Sequence, residues 1–376
     1  MKKLLALILA LTMTSALTAC SEEGKKEETV PTETTVNEEI GTQTEETAED
    51  PETVASEEAE EDVVLVPYLD EETGKCGYCT IEGEVRIEPK FDNCTIFAAN
   101  GLAQARMDGK NGCINKKGEF LFETGYLYFE ENFSANGFAV VMDSGKYGII
   151  NEKGELVVDL KYEHIGPVAE NDLAEAKLNG KSGYINMNGE MVIEPQFEFA
   201  DGFSSNGLAP VEIGDKWGYI NATGEMVIEP QFDWAYKFTA NGLAKVEVDH
   251  KYGYINEKGE WVIEPKFGAA GDFAENGLAF VTLKAFEKFG FINEKGEIMF
   301  EVDYNGIGDF APNGLACVAV GRMEDCKYGY INENGELVID AQFDEKVAFN
   351  ADGFAAVTKD GKRYYIDSTG EIIRPR

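Results

Sequence analysis

The sequence has few of the residues on which most enzymes and nucleic-acid-binding proteins depend. It contains only two histidines, His164 and His250, and 33 Lys and Arg against 70 Asp and Glu, for a formal net charge of −37. So few histidines leave little material for a His-based metal or proton-transfer site. A chain this acidic lacks the basic surface that binds phosphates. We therefore predict no nucleic-acid partner.

Catalytic and metal-binding motifs are missing as well. The sequence has no Gly-x-Ser-x-Gly nucleophile elbow, no His-Glu-x-x-His and no P-loop. Acidic loops occur, but none has the Asp-x-Asx-x-Asx-Gly spacing of an EF-hand, so surface charge is the simpler interpretation. We predict a protein that is not an enzyme and that holds no metal or other cofactor.

The one long apolar run lies at the N-terminus. Lys2 and Lys3 precede Leu4–Leu11, a run too short to span a bilayer as a mature helix, and Leu17-Thr18-Ala19-Cys20 follows. This arrangement resembles the signal peptide and lipobox of bacterial lipoproteins. The resemblance implies that residues 1–19 are removed and that lipidated Cys20 anchors the mature protein on the extracytoplasmic face of the bacterial cell envelope. The alternative is an ordinary cleaved signal with a chance cysteine.

Residues 20–62 form a second compositional region. Residues 21–62 contain 17 acidic residues and no aromatic residue, so they cannot bury enough apolar area to offset chain entropy. We expect a disordered tether with an r.m.s. span of roughly 40 Å. Residues 63–376 hold 29 of the 33 basic and 53 of the 70 acidic residues, which leaves the expected folded region with a net charge of −24.

The region 63–376 is a tandem repeat. Lys216-Trp217-Gly218-Tyr219-Ile220-Asn221 recurs, with changes, at intervals of 35 to 39 residues, and its central glycine falls at 77, 112, 148, 183, 218, 253, 290 and 329. A ninth copy has Tyr364 at this position. A second glycine follows six residues later in all nine copies, from Gly83 to Gly370.

Each repeat predicts a three-stranded antiparallel meander. Ala244–Val248 alternates apolar and polar residues, as a half-buried strand does. Asn256-Glu257-Lys258-Gly259 has the pattern of a type I turn closed by a left-handed glycine. The first and second strands are joined in other copies by Asp-Gly or Asn-Gly, which favour type I′ turns.

The connectors between meanders carry a different spacing. Glu229-Pro230 ends a strand, because proline removes a donor from the sheet. Phe232, Ala235 and Phe238 then follow at intervals of three, which favours a loop or a single helical turn over a strand.

These residues closely resemble the WG-repeat family of bacterial proteins, named for a pair found here as Trp217-Gly218. The resemblance covers nearly all of 63–376, although one copy alone keeps the tryptophan and copies two, three, seven and eight lack Glu-Pro. It implies a binding or scaffold module without shared catalytic residues.

We predict an all-β fold of nine tandem three-stranded meanders in an open superhelical array, each contacting its neighbours. The alternative is a closed propeller-like ring. Propellers usually have four to eight blades of four strands, which nine units of three strands do not match.

Candidate binding residues are the aromatic side chains Trp217, Trp234, Tyr236 and Trp261. Trp234 and Tyr236 lie in a connector, where loops commonly carry function. Trp261 stands where other copies have Met or Leu, so a buried core position is its simpler interpretation. The repeated aromatic position of the motif could supply stacking platforms, but core packing is favoured. That position holds Tyr184, Tyr219, Tyr254, Phe291, Tyr330 and Tyr365.

The cysteines leave their pairing open. Cys76 and Cys79 form a CxxC on one predicted strand, where residues three apart point to opposite faces, which disfavours a shared metal or a mutual disulfide. Reduced, packed thiols are the favoured interpretation. A disulfide among Cys76, Cys79, Cys94 and Cys113, or between Cys317 and Cys326, is the alternative.

Together these features predict a membrane-anchored surface lipoprotein whose repeats bind protein or peptide partners without catalysis. The alternative is binding of cell-wall glycan, and a divergent hydrolase comes third. The net charge of −24 disfavours anionic teichoic polymers and favours neutral glycans or basic partners.

Overall fold

The computed structural model describes residues 63–125, 128–129, 132–284, 288–321 and 325–375. The predicted signal peptide, Cys20 and the tether lie outside these residues. The described part is all-β: it contains strands, turns and bends and no helix, and therefore no helix able to cross a membrane.

The strands form nine antiparallel sheets, one for each predicted repeat, and we number the repeats 1 to 9 in chain order. Repeats 1, 5 and 7 have three strands, and repeat 9 has two. Repeat 1 contains β1 (Leu65–Leu69), β2 (Cys76–Thr80) and β3 (Val85–Phe91). Repeat 5 contains β16 (Leu208–Ile213), β17 (Lys216–Asn221) and β18 (Met226–Phe232). Repeat 7 contains β23 (Ala279–Lys284), β24 (Lys288–Ile292) and β25 (Ile298–Val302), and repeat 9 contains β30 (Ala355–Lys359) and β31 (Lys362–Ile366).

The other five repeats have four strands. Repeat 2 contains β4 (Asn93–Cys94), β5 (Leu102–Met107), β6 (Lys110–Asn115) and β7 (Phe120–Thr124). Repeat 3 contains β8 (Tyr128–Phe129), β9 (Phe138–Asp143), β10 (Lys146–Asn151) and β11 (Leu156–Tyr162). Repeat 4 contains β12 (His164–Ile165), β13 (Leu173–Leu178), β14 (Lys181–Asn186) and β15 (Met191–Phe197). Repeat 6 contains β19 (Trp234–Phe238), β20 (Ala244–Val248), β21 (Lys251–Ile255) and β22 (Trp261–Phe267). Repeat 8 contains β26 (Gly306–Phe310), β27 (Ala316–Val320), β28 (Lys327–Ile331) and β29 (Leu337–Phe343). The prediction of tandem antiparallel meanders is confirmed.

The fourth strand comes from the connector, and we call it the connector strand. The sequence predicted a loop or a helical turn here, and for Trp234–Phe238 that prediction is wrong. This segment pairs with β20, with Trp234 opposite Glu247, and its register shifts between Ala235 and Phe238. The shift lets both Ala235 and Phe238 point into the core although they are three residues apart. Single bridges, Ala200 to Val211 and Ala270 to Val281, mark the same pairing in repeats 5 and 7.

The turn between the second and third strands is built as predicted. The nine turn glycines have φ between 74° and 89°, the left-handed region that glycine enters at little cost. In repeat 6 the Gly259 amide donates to the Asn256 carbonyl oxygen at 2.9 Å. The Asn256 side chain accepts from the amide of Glu260 at 3.0 Å and donates to its carboxylate at 2.8 Å.

The glycine of the Trp-Gly motif allows two backbones to approach closely. A Cβ atom on Gly218 would lie 2.4 Å from the carbonyl oxygen of Ile228, which belongs to the third strand of the same repeat. The backbones therefore meet too closely for any side chain. Repeat 9 has Tyr364 at this position and only two regular strands, followed by a single bridge between Ile366 and Ile372.

The core lies between neighbouring repeats. Tyr219 and Phe232 of repeat 5 pack against Val246 and Ile255 of repeat 6, all fully buried. Burial of each such large side chain contributes roughly 1.5–3 kcal/mol. The Tyr219 hydroxyl also donates to the carbonyl oxygen of Tyr236 in the next connector at 2.7 Å. The same bond is made by Tyr78, Tyr184, Tyr254 and Tyr330. The repeated aromatic position is therefore core in Tyr184, Tyr219, Tyr254, Phe291 and Tyr330, as favoured, whereas Tyr365 of repeat 9 is half-buried.

The first and last repeats lie next to each other. The Lys362 ammonium is 3.7 Å from the Glu71 carboxylate. The pKa of Tyr78 is raised chiefly by burial and also by the nearby Tyr365. In the other repeats, the residues equivalent to Val66 and Cys79 face the preceding repeat. Repeat 1 has no preceding repeat, yet Val66 and Cys79 are buried. These contacts support the ring-like alternative, which the connector strands also favour, because they supply the four-stranded sheets of a propeller blade.

Two cysteines are cross-linked. A disulfide joins Cys76 on β2 to Cys94 on β4, whose Cα atoms are 6.1 Å apart, and so ties repeat 1 to repeat 2. Cys79, Cys113 and Cys317 are buried thiols whose pKa values burial raises to about 11, 12 and 11. The favoured interpretation of reduced thiols is therefore wrong for Cys76 and Cys94, and the alternative of a disulfide among Cys76, Cys79, Cys94 and Cys113 is confirmed for this pair.

Candidate functional site

The four predicted binding aromatics lie in different environments. Trp217 on β17 is buried, with 5% of its surface exposed, so it cannot offer a face to a ligand. Trp234 on β19 is 47% exposed and Tyr236, two residues later on the same strand, is half-buried. Trp261 on β22 is 36% exposed and is therefore not the buried core position that its place in the motif suggested.

Three of the four come together in one cluster. The ring of Trp234 lies 4.9 Å from that of Trp217 and 6.5 Å from that of Tyr236. Tyr236 in turn lies 6.4 Å from Tyr252 on β21. We call Trp217, Trp234, Tyr236 and Tyr252 the repeat 6 aromatic cluster. Because Trp217 is buried beneath Trp234, it holds the exposed indole in place.

Trp261 is not part of this cluster. It meets Phe232 edge-on at 5.8 Å. The strand order β19-β20-β21-β22 places Trp234 and Trp261 at opposite edges of the same sheet. The two exposed tryptophans of repeat 6 can therefore be tested against each other.

A carboxylate stands within the aromatic cluster. Glu247 on β20 pairs with Trp234 on one side and with Tyr252 on the other. Burial raises the pKa of Tyr252, and hydrogen bonds with Glu247 and Tyr236 raise it further. The hydroxyl of Tyr252 therefore stays protonated and is engaged in these hydrogen bonds.

A lysine links the aromatic cluster to two further carboxylates. The Lys245 ammonium lies 4.2 Å from the centre of the Tyr236 ring and 3.1 Å from the Asp272 carboxylate. Desolvation, and next the charge of Asp272, raise the pKa of Asp309 to about 6, while Lys245 and Lys346 oppose the rise. The side chain of Asp309 remains solvent-accessible, which limits how much this shift can contribute to stability.

The sequence analysis missed two residues at the position equivalent to Trp234. These are Phe199 in repeat 5, which is 56% exposed, and His164 in repeat 4, which is also exposed. Each comes two residues after the buried aromatic that ends a third strand. We call His164, Phe199 and Trp234 the aromatic row. An alignment of the connectors by repeat places the three residues at one position.

Each member of the aromatic row has a charged residue beside it. His164 pairs across the sheet with Lys177, and Trp234 pairs with Glu247. Phe199 accepts a hydrogen bond from the amide of Glu212 at 2.8 Å. The His164 imidazole lies 2.9 Å from the buried Glu175 carboxylate. The row therefore combines stacking surface with charge.

No group of three or more His, Cys, Asp or Glu side chains able to hold a metal ion occurs among the described residues.

Comparison with known proteins identifies the family. The model described as WG containing repeat matches eight segments: 77–110, 112–147, 147–181, 183–217, 217–252, 252–284, 289–321 and 328–362. The chain therefore belongs to the WG-repeat family. No curated protein matches it.

Solved structures show similarity of fold. A structure of the eukaryotic initiation factor aligns with a TM-score of 0.58 and 12% identity, covering 83% of this chain and 94% of that chain. A streptogramin B lyase aligns with a TM-score of 0.39 and 16% identity over 61% and 90% of the two chains. Hsv2p of Kluyveromyces lactis aligns with a TM-score of 0.42 and 10% identity over 64% and 92%. The first of these shares the fold, and none indicates a function for this chain.

Proposed function

We propose that this chain is a non-catalytic binding module of the bacterial cell envelope that takes a protein or peptide partner. The aromatic row is the observation that carries the proposal. Exposed aromatic side chains cost hydration free energy unless a partner covers them, and Phe199 and Trp234 expose about half of their surfaces on neighbouring repeats. Tyrosine and tryptophan are also the side chains that dominate binding energy at protein interfaces.

The strands below the row make it a rigid platform. Trp234 rests on the buried Trp217, and the Tyr219 hydroxyl holds the carbonyl oxygen of Tyr236. A ligand would therefore meet side chains that are already ordered, which lowers the entropy cost of binding. Family membership agrees with a repeat used for binding.

Anchoring at the envelope through lipidated Cys20 is part of the same proposal. The disulfide between Cys76 and Cys94 supports an exported protein, because disulfides persist in oxidising compartments. The net charge of −24 on residues 63–376 favours a basic partner over an anionic wall polymer.

The test is a pull-down with residues 63–376 carrying an affinity tag. We expect capture of a defined protein from detergent-solubilised envelope, and loss of that protein when Trp234 and Phe199 are both changed to Ala. The change Trp261→Ala is the matched control and should capture normally. Equal capture by the double variant, or no capture at low salt, would contradict the proposal.

Binding of a neutral wall glycan is the second candidate. The exposed indole of Trp234, packed at a tilt against Trp217, is also a surface on which a sugar ring can stack. Co-sedimentation with purified, teichoic-acid-free wall separates the candidates: a Trp234-dependent pellet without a captured protein would favour the glycan.

A further inference from the structure

Three exposed or half-exposed rings and one carboxylate meet in repeat 6. Trp234, Tyr236 and Tyr252 surround Glu247, which is the cross-strand neighbour of both Trp234 and Tyr252. We propose that this group binds a cationic side chain, a lysine ammonium or an arginine guanidinium, of the partner polypeptide. The inference rests on the proposed function and names the chemistry that its site recognises.

Aromatic faces and a carboxylate suit a cation for separate reasons. The negative face of an aromatic ring attracts a cation within about 6 Å of its centre, and tryptophan does so most strongly. The carboxylate adds a charge-assisted hydrogen bond. A neutral sugar would use the rings but would gain much less from the full charge of Glu247.

The chain itself already places cations on rings of this surface. The Lys245 ammonium lies 4.2 Å from the centre of the Tyr236 ring, and the Lys177 ammonium lies 5.0 Å from that of Phe199. The connector strands therefore hold their aromatic side chains in orientations that accept a cation. Trp234 has the same position in its repeat as Phe199.

The local charge leaves Glu247 available for such a ligand. Lys245 is paired with Asp272 at 3.1 Å, so its charge is compensated there. Among the described residues, Glu247 hydrogen-bonds with the Tyr252 hydroxyl and is paired with His250 at 3.3 Å, whose side chain is almost fully exposed and easily displaced. In repeat 5, burial and the charges of Glu198 and Asp215 raise the pKa of Glu212, which occupies the position of Glu247. The neighbouring surface thus carries negative charge that a basic ligand would relieve.

Isothermal titration calorimetry tests the inference with two eight-residue probes. One is an acetylated and amidated Gly/Ser peptide with three arginines, and the other has glutamine at those positions. We expect the arginine peptide to bind at least tenfold more tightly. We also expect Trp234→Ala and Glu247→Gln each to weaken it about tenfold, in line with a desolvated cation–π contact and a charged hydrogen bond.

The controls keep folding and binding apart. Trp261→Ala removes an exposed tryptophan at the opposite edge of the same sheet and should bind like the wild type. Trp234→Phe should recover part of the affinity, because the ring face returns. Thermal unfolding checks that each variant is folded.

The inference is overturned if Glu247→Gln binds the arginine peptide like the wild type, or if the two probes bind equally. Trp234-dependent binding of chitotetraose, with no binding of either peptide, would also overturn it in favour of a sugar site. If Glu247→Gln still captures the same envelope protein as the wild type, this inference fails while the proposed function stands. If the wild type captures nothing, the proposed function itself fails.

Discussion

Repeat 6 and repeat 9 follow the same sequence pattern but differ in how many strands pair in their sheets. Repeat 6 forms a four-stranded sheet, β19 to β22, whereas repeat 9 has two strands and a single bridge. Repeat 6 has Gly253 where the third strand approaches, and a Cβ there would lie 2.6 Å from the Ile263 carbonyl oxygen. Repeat 9 has Tyr364. The hairpin is therefore a local property of each repeat. The docking of the third strand depends instead on a glycine, which has no side chain, at the point where the two backbones approach.

The two repeats also differ in how they receive the preceding connector. Glu257 of repeat 6 accepts from Asn206 of the preceding repeat at 3.1 Å, and Glu294 of repeat 7 accepts in the same way from Asn241 at 3.0 Å. The equivalent Asn313 faces repeat 9, which has Ser368 at the place of that glutamate. Its buried amide nitrogen has no hydrogen-bond partner among the described residues. One bridge is thus missing at the end of the array.

The largest effect is expected from Gly253→Ala, which would give repeat 6 the defect of repeat 9. The new methyl group would meet the third-strand backbone, so we expect a loss of about 3 kcal/mol in the free energy of unfolding. Chemical denaturation measures it. Lys251→Ala, exposed on the same strand, is the control and should change stability by less than about 0.5 kcal/mol. Similar midpoints for the two variants would show that the close approach is not required.

The change Ser368→Glu should give repeat 9 the bridge that repeat 6 supplies to its neighbour. A carboxylate at this position would accept from the Asn313 amide, so we expect a gain of about 1 kcal/mol in the free energy of unfolding. The combined change with Asn313→Ala should lose that gain. If Ser368→Glu stabilises equally with Asn313→Ala present, the gain does not come from this bridge.

In one turn repeat 9 has the better residue. Repeat 9 joins its strands through Asp360-Gly361, whereas repeat 6 uses Asp249 and His250, both with positive φ. We expect His250→Gly to stabilise the protein by about 0.5–1 kcal/mol, because glycine adopts φ near 59° without strain. Thermal unfolding measures the change. His250→Ala keeps the strain and should give no gain; an equal gain would point to loss of the imidazole instead.

The smallest effect concerns Asp309, whose pKa is influenced by Lys245 of repeat 6 and Lys346 of repeat 9. Its folded pKa of about 6 exceeds the usual value near 4. Its contribution to stability is therefore fully present below pH 4 and is lost as the pH rises through 6. Asparagine does not ionise, so Asp309→Asn should gain stability relative to the wild type between pH 4 and pH 7, by a few tenths of a kcal/mol at this solvent-accessible site. Melting temperatures at both pH values test this against Asp352→Asn, and a gain independent of pH would contradict the assignment.

Much of the fold could be predicted because each hairpin is specified locally. Asn256 and Gly259 select the turn, and the period of about 35 residues repeats it. The connector strand could not be predicted from spacing, because Ala235 and Phe238 reach one face through a register shift. A shift of this kind depends on pairing with β20 and leaves no local pattern.

The candidate site was predictable in part. Trp234 and Tyr236 could be identified because they lie in a connector, outside the repeated motif positions whose aromatic residues form the core. Phe199 and Lys245 were missed, since a lone phenylalanine and a lysine on an alternating strand look ordinary in sequence. Trp217 was a candidate binding residue but is buried, and Trp261 was expected in the core but is partly exposed. The environment of each depends on which neighbouring side chains cover it.

The sequence by itself determined the family, the all-β class and the positions of the turns, since these rest on the backbone preferences of Gly and Asn and on a repeated apolar pattern. The tertiary structure decided the contacts between distant segments, which a local sequence pattern does not encode. It placed repeat 1 beside repeat 9 through Glu71 and Lys362, paired Cys76 with Cys94, and gathered Trp234, Tyr236, Tyr252 and Glu247. These are contacts between segments far apart or on different strands, and their geometry exists only once the sheets have packed.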